Sequence, residues 1–266
     1  MAGGKIIIGF YYAGGGTLEK YAFFLDIDGT LCVHGEIPLI NRLAIAKARQ
    51  SGHFVFVNTG RSYGILPPVV HTVEFDGFVT SLGSSVIVRG EYVECGSMDM
   101  HEVAELLEMF NKKKYGIIFE GENTVWRNQY LGRTEYPVVK NGAELLEKFG
   151  DEIISKLYLP VMLDEETFNY INERYTLCQH KEYAEFTTKG HTKATGMLAA
   201  AQRVGVPRER CVAVGDSVND EDMLRAAGIA VAMGDGDGHL KDISDIVTCD
   251  AEDGGVAEAI FKIIRQ

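Results

Sequence analysis

The sequence predicts an α/β fold: a doubly wound parallel sheet with an α+β segment inserted into it. Three observations carry this expectation. Short continuous apolar runs recur near both ends of the chain, as strands buried on two faces require. Helical patterns closed by glycine or proline lie between them. The middle of the chain reads instead as hairpins and amphipathic helices, a texture foreign to a parallel sheet.

In chain order, residues 1–20 (MAGGKIIIGFYYAGGGTLEK) stand apart as an N-terminal extension of unassigned role. Ile6–Tyr12 is a short apolar stretch behind a single lysine, with no small-residue cleavage site after it, so no signal peptide is expected. Strands are expected at Tyr21–Ile27, Phe54–Asn58, Cys211–Gly215, Ile229–Met233 and Ile246–Thr248. Helices are expected at Leu39–Gln50 before Gly52, at Lys193–Val204 before Gly205 and Pro207, and at Asp220–Ala227 before Gly228. Between these halves, Val86–Val88 and Tyr92–Glu94 flank Arg89-Gly90-Glu91 as a hairpin. Helices at Met100–Lys114, Asn141–Phe149 and Glu165–Arg174 follow, with strands at Tyr115–Phe119, Thr124–Arg127, Leu157–Leu163, Thr176–Gln179 and Tyr183–Thr187. The predicted division is a core of 21–83 plus 189–266, interrupted by an α+β insert at 84–188.

Composition narrows the function. The chain has 266 residues, 46% hydrophobic and 24% charged, with a formal net charge of −12. Nucleic-acid binding needs a basic footprint, so that class is disfavoured, and no apolar stretch approaches a membrane span. Five cysteines without a CxxC spacing argue against a disulfide framework or a structural zinc site and for reduced thiols in a cytoplasm. An anionic substrate in so acidic a chain requires a local lysine, arginine or metal.

Ligands of an open parallel sheet bind beyond the carboxyl ends of its strands. Three apolar runs end there in a reactive polar residue: Asp26, Thr59 and Asp216. Asp26-Ile27-Asp28-Gly29-Thr30 places two carboxylates at i and i+2. A calcium loop is excluded, because Leu31 stands where the loop glycine belongs and Ile37 where the bidentate glutamate belongs. Asp216-Ser217-Val218-Asn219-Asp220 is dense in hard oxygen donors of the kind Mg²⁺ takes. Thr59-Gly60-Arg61 offers a hydroxyl and amides to phosphate oxygens, and Lys189 and Lys193 are the candidate cations.

Taken together, DIDGT, the strand-terminal TGR, the lysine heading KATGML and GDSVNDEDML match in order the four motifs of the haloacid-dehalogenase-like hydrolases. Over 21–266 the chain most resembles the Cof-type sugar-phosphate phosphatases, whose α/β cap lies between the second and third motifs. The resemblance implies a Rossmann-like core and a specificity-setting cap at 84–188. It also implies that Asp26 is the nucleophile and Asp28 the general acid/base. Thr59, Gly60, Lys193 and Asn219 would hold the phosphoryl group, and Asp26, Asp216 and the Asp28 carbonyl would hold Mg²⁺. Ser217 and Asp220 would support these groups. The chain departs from the family at Ala194, usually glycine, at Leu82-Gly83-Ser84, often Asn-Gly-Ala, and at Met233-Gly234-Asp235-Gly236, often Met-Gly-Asn-Ala. The last two departures bear on the substrate. Arg61, Leu82, Gly83 and Ser84 are candidate substrate contacts, and in the cap, where specificity is expected to arise, so are Trp126 and Arg127, with the polar and aromatic Glu120, Asn128 and Tyr130 in reserve. The expected activity is Mg²⁺-dependent hydrolysis of a small phosphate ester through an aspartyl-phosphate, by a monomer or homodimer. A phosphomutase would use the same aspartate pair, and the intact motifs argue against a non-catalytic sensor.

Overall fold

The computed structural model describes residues 19–132 and 134–265, so nearly all of the N-terminal extension, 1–18, lies outside the described residues. The chain opens with β1 (Ala22–Leu25), α1 (Leu39–Gln50), β2 (Phe54–Asn58), β3 (Gly77–Thr80), β4 (Ser85–Val88) and β5 (Glu91–Cys95). It continues through α2 (Met100–Lys113), β6 (Ile118–Gly121), β7 (Val125–Asn128), β8 (Val138–Val139), α3 (Gly142–Phe149), β9 (Ile154–Leu159), α4 (Glu165–Arg174), β10 (Tyr175–Gln179) and β11 (Ala184–Thr188). It closes with α5 (Lys193–Arg203), β12 (Cys211–Gly215), α6 (Glu221–Ala226), β13 (Ile229–Ala232), α7 (Gly238–Ile243), β14 (Ile246–Val247) and α8 (Gly255–Ile264).

The larger sheet has eight strands in the order β14-β13-β12-β1-β2-β3-β4-β5. The pairs from β14 to β3 are parallel, and β4 and β5 add antiparallel at the edge. The hairpin expected inside the insert is therefore part of this sheet. The reason is the short link: Ser81–Ser84 reverses the chain through left-handed backbone at Ser81 (φ 52°), Leu82 (φ 55°) and Gly83 (φ 88°). So tight a turn leaves the next strand only an antiparallel place beside β3. The smaller sheet, β10-β11-β9-β6-β7-β8, takes up the rest of the insert.

Residue alternation decides what each face does. Phe23, Leu25, Val55, Val57, Val212 and Val214 pack with Ile45 of α1 and Ile260 of α8. Their neighbours Phe24, Phe56 and Ala213 point the other way, onto Met197 and Ala200 of α5. Burial on both faces is why these strands read as unbroken apolar runs. In the smaller sheet Phe119, Trp126, Leu157 and Phe186 form one apolar face under α2, α3 and α4. The alternate positions Glu120, Lys156 and Glu185 point to the opposite face, over the carboxyl ends of the larger sheet. Among the described residues, no helix is long and apolar enough to cross a membrane.

Candidate active site

Register brings the reactive strand ends together. Leu25 is level with Val57 on one side and Val214 on the other, so Asp26, Asn58-Thr59 and Gly215-Asp216 emerge at one edge. β1 lies between β2 and β12, where the strand order reverses, the usual place for a ligand crevice. Carboxylate oxygens of Asp26, Asp216 and Asp220 all lie within 4.8 Å of one another.

Lys193 is the cation among them. The Thr192 hydroxyl caps α5 by accepting from the Thr195 amide, while the Thr195 hydroxyl accepts from the Thr192 amide, which fixes Lys193 at the first helical position. A positive charge there opposes the helix dipole. It is held by two carboxylates: Lys193 Nζ donates to Asp26 Oδ1 at 2.7 Å and to Asp220 Oδ1 at 2.7 Å. The other Asp220 oxygen accepts the amides of Asp216 at 3.0 Å and Ser217 at 3.1 Å, which ties the loop after β12 into shape. Both oxygens of Asp220 are thus committed, whereas Asp26 and Asp216 each keep one without a hydrogen-bond donor among the described residues.

Three carboxylates crowd one ammonium, which bonds to two of them. Burial pushes the Asp26 carboxyl up to about 7, against the pull of Lys193 and with the push of Asp220. Burial likewise raises Asp216 to about 6, although the Thr30 hydroxyl donates to it at 2.9 Å. Burial works against the Lys193 ammonium, but Asp220 and Asp26 outweigh it and hold its pKa above the usual lysine value. An excess of buried negative charge on hard oxygens fits a divalent cation such as Mg²⁺. The glycine of DIDGT has a steric reason: Gly29 has φ 77°, and a Cβ there would stand 2.6 Å from Asp216 Oδ2.

Asp28 sits at the mouth, its side chain 58% exposed, in a two-pronged pair with Arg61 at 2.7 and 2.8 Å. Arg61 was expected to meet substrate; here its guanidinium is taken up by Asp28. Thr59 is buried and its hydroxyl accepts the Arg61 amide at 3.2 Å. The smaller sheet roofs a cleft of about 530 Å³ lined by Asp26, Asp28, Thr59, Gly60, Arg61, Lys193, Ser217 and Asn219 from below. From above come Glu120, Lys156, Tyr158 and Glu185 on strands and Tyr136 and Tyr183 beside them. Lys156 Nζ donates to Glu185 Oε2 and to the Gly60 carbonyl, both at 2.8 Å, so it joins the roof to the Thr59-Gly60-Arg61 loop. Burial opposes the Glu185 charge, yet Lys156 prevails and draws its pKa down to about 2.

Several expected contacts lie elsewhere. Trp126 is 0% exposed, stacked between Phe149 at 4.5 Å and Phe119 at 5.6 Å, because its position on β7 points into the apolar face. Arg127 donates to the carbonyls of Asn128 and Leu131 and braces the loop after β7. Asn128 is a buried staple, accepting the Ile117 amide and donating to the Tyr115 carbonyl. Gly83 presses against the Thr192 carbonyl, Ser84 donates to the Ser155 carbonyl, and Leu82 packs beside Gly60, so all three shape the scaffold behind the cleft. Of the reserve residues only Glu120 reaches the cleft. Lys156, Tyr158, Tyr183 and Glu185 were missed; the i, i+2 pattern of Lys156-Leu157-Tyr158 is the signal that marks this face. His180 stacks on Tyr183 at 4.0 Å with Nε2 3.6 Å from Glu185.

A family profile described as haloacid dehalogenase-like hydrolase matches residues 23–260. Phosphoglycolate phosphatase 1 of Saccharolobus solfataricus is 27% identical, with 91% of this chain and 94% of that protein covered. The 5-amino-6-(5-phospho-D-ribitylamino)uracil phosphatase YcsE of Bacillus subtilis is 26% identical, covering 89% of this chain and 92% of the relative. Among solved structures, the subclass IIB sugar phosphatase BT4131 superposes with a TM-score of 0.76 at 25% identity, over 91% of this chain and 98% of that one. The chain belongs to the haloacid dehalogenase-like hydrolases.

Proposed function

We propose that this enzyme hydrolyses small phosphate monoesters in two steps through a phosphoryl group carried on Asp26, with Mg²⁺ as its cofactor. The observation that carries the reading is the meeting of Asp26, Lys193, Asp216 and Asp220 at one sheet edge, with Asp28 two residues beyond at the cleft mouth. Asp26 and Asp216, each with an uncommitted oxygen, and the Asp28 carbonyl would hold the cation. It would supply charge neutralisation at the phosphoryl oxygens and keep the Asp26 anion from repelling its substrate.

In the first step an Asp26 oxygen attacks phosphorus as the ester P–O bond breaks, and the Asp28 carboxylic acid gives its proton to the leaving oxygen. In the second, the Asp28 carboxylate takes a proton from water, the water oxygen attacks phosphorus, and the bond to Asp26 breaks to release phosphate. Asp28 must leave Arg61 to reach the leaving oxygen, so the pair marks its resting position. The Thr59 hydroxyl, the Gly60 backbone, Asn219 and Lys193 orient the phosphoryl oxygens, while Asp220 fixes Lys193 and the Asp216-Ser217 turn. Two relatives are named for phosphoglycolate and for a ribitylamino-uracil phosphate, which supports a small phosphorylated metabolite as the substrate. Five free thiols fit a reducing, cytoplasmic setting.

The test is release of inorganic phosphate from p-nitrophenyl phosphate. Activity that vanishes in EDTA and returns with Mg²⁺ is the expected result. Turnover indifferent to chelation, or phosphate passed to another carbon of a sugar phosphate rather than to water, would contradict it.

A further inference from the structure

The hairpin of β10 and β11 carries a second cluster of metal-ligating side chains, apart from the aspartates of the floor. Cys178 pairs with Glu185 across the two strands, and His180 follows two residues after Cys178, so all three come to one face. One ligand atom from each lies within 4.8 Å of the other two. Cys178 Sγ is 3.3 Å from His180 Nε2, which is 3.6 Å from Glu185 Oε1. Tetrahedral zinc, with bonds of about 2.0–2.3 Å, spaces its ligand atoms roughly 3.3–3.6 Å apart. A Cys-His-Glu catalytic triad is the competing reading, and it fails on the imidazole. A triad base meets nucleophile and carboxylate through different ring nitrogens, whereas here Nε2 faces both. Lys156 bonds to Glu185 Oε2, so Oε1 is the oxygen turned to His180. Glu120 stands on the other side of Lys156, and the two carboxylates leave the roof a net negative charge. Cys178 is reached from a groove of about 390 Å³ between β10 and the first turns of α5 and α6, and the His180 side chain is 21% exposed, which gives an ion a way in. The same sulfur lies 3.6 Å from Asn219 Oδ1, in the loop after β12.

We propose that Cys178, His180 and Glu185 form a Zn²⁺ site separate from the Mg²⁺ centre, and that zinc bound there inhibits the enzyme by drawing Asn219 away from the phosphoryl group. Sulfur, imidazole and carboxylate suit zinc, whereas Mg²⁺ takes hard oxygens and leaves a thiolate alone. As the Zn–S bond forms, the Cys178 S–H proton passes to solvent. The sulfur then no longer donates to Asn219, and the Asn219 side-chain oxygen is within reach as a fourth ligand. That joins a strand of the roof to a loop of the floor through one ion beside the cleft. The site stands on the hairpin's geometry alone; its inhibitory role rests also on the phosphatase reading above.

The experiment titrates the full chain, reduced and saturated with Mg²⁺, with Co²⁺ as a spectroscopic stand-in for zinc. One equivalent should bring up a near-ultraviolet thiolate-to-cobalt charge-transfer band, which the all-oxygen floor site cannot produce, and Zn²⁺ should abolish it. Cys178→Ser should lack the band. His180→Ala should bind about a hundredfold more weakly, since even the outer partners of a metal ligand are worth about 10–100-fold in affinity. It supplies the same comparison should the serine variant fail to fold. In parallel, Zn²⁺ should inhibit phosphate release from p-nitrophenyl phosphate at saturating Mg²⁺, with its midpoint raised about a hundredfold in Cys178→Ser. A band missing from the unsubstituted chain, or persisting in Cys178→Ser, overturns the site. Zinc inhibition with the same midpoint in both proteins, as displacement of Mg²⁺ would give, or no inhibition while the band is present, overturns the inhibitory role. Absence of phosphate release from the zinc-free enzyme overturns the phosphatase reading, while the cobalt band still decides the site.

Discussion

Asp26→Asn should lower kcat for p-nitrophenyl phosphate by about ten-thousand-fold or more, the scale on which loss of a covalent nucleophile acts. The side chain keeps its size and can still accept the Lys193 hydrogen bond now made at 2.7 Å, so the fold should persist. It should even gain stability when no divalent cation is present. Burial lifts the Asp26 carboxyl to about 7, which means that the folded site resists its charge, and the amide carries none. Steady-state kinetics beside a thermal melt in EDTA would check both halves. Turnover within tenfold of the original enzyme would remove Asp26 from the chemistry.

Lys193→Met should be the most damaging change to both stability and activity. Lys193 Nζ is shared by Asp26 and Asp220, and all three side chains are at most 8% exposed. Removing one partner of a buried ion pair costs about 3–5 kcal/mol, because the other charge stays buried and alone. The consequence depends on pH, and its sign follows from the shifts. Asp26 and Asp216 titrate at about 7 and about 6 in the fold, against 3.8 for an ordinary aspartate. The folded state thus holds these protons more tightly than the unfolded chain. Stability without a divalent cation is fullest below about pH 4 for these two groups and declines as pH rises through about 6 to 7. With the lysine gone the decline should steepen, and Mg²⁺ should offset it by binding the anionic form. Melting midpoints of both proteins at pH 5 and pH 8, with and without Mg²⁺, would show this. A variant as stable as its parent at pH 8 in EDTA would contradict the shared-ammonium picture.

The parts of the fold that were legible in the sequence share one physical feature: their environment is uniform along the element. β2 and β12 are apolar on both faces, and α1 and α4 are bounded by clear stop and start residues, so their limits match the expected ones. Elements whose surroundings are set by distant neighbours were harder to see. β3 is four residues opening on Gly77, and its place depends on pairing with β2 and β4. α7 begins within Asp235-Gly236-Asp237-Gly238, which reads as a turn until Asp237 is seen to accept the His239 amide as its cap. α8 was obscured by the glycines before it, although Gly255–Ile264 carries a continuous buried face.

The floor of the site was legible because each of its residues ends a buried strand or begins the structure after it. A polar side chain in that position has few other reasons to be there. The roof was not, because its residues belong to strands whose two faces differ. Trp126 and Arg127 drew attention by residue type, yet β7 turns one into the apolar core and the other toward a loop carbonyl. Lys156 looked like a residue just outside its strand, and only the pairing of β9 with β6 and β11 places it between two glutamates. The Asp28–Arg61 pair was equally invisible, since nothing in the spacing of residues 28 and 61 fixes how far either side chain reaches.

The most direct measurement is acid quench of the Mg²⁺-loaded enzyme during turnover, followed by peptide mapping by mass spectrometry. A phosphoryl group on the Asp26 carboxylate, released by hydroxylamine as an acyl phosphate should be, is the result expected here. Phosphate on any other side chain, or rapid turnover during which no phosphoryl-enzyme forms, would contradict it.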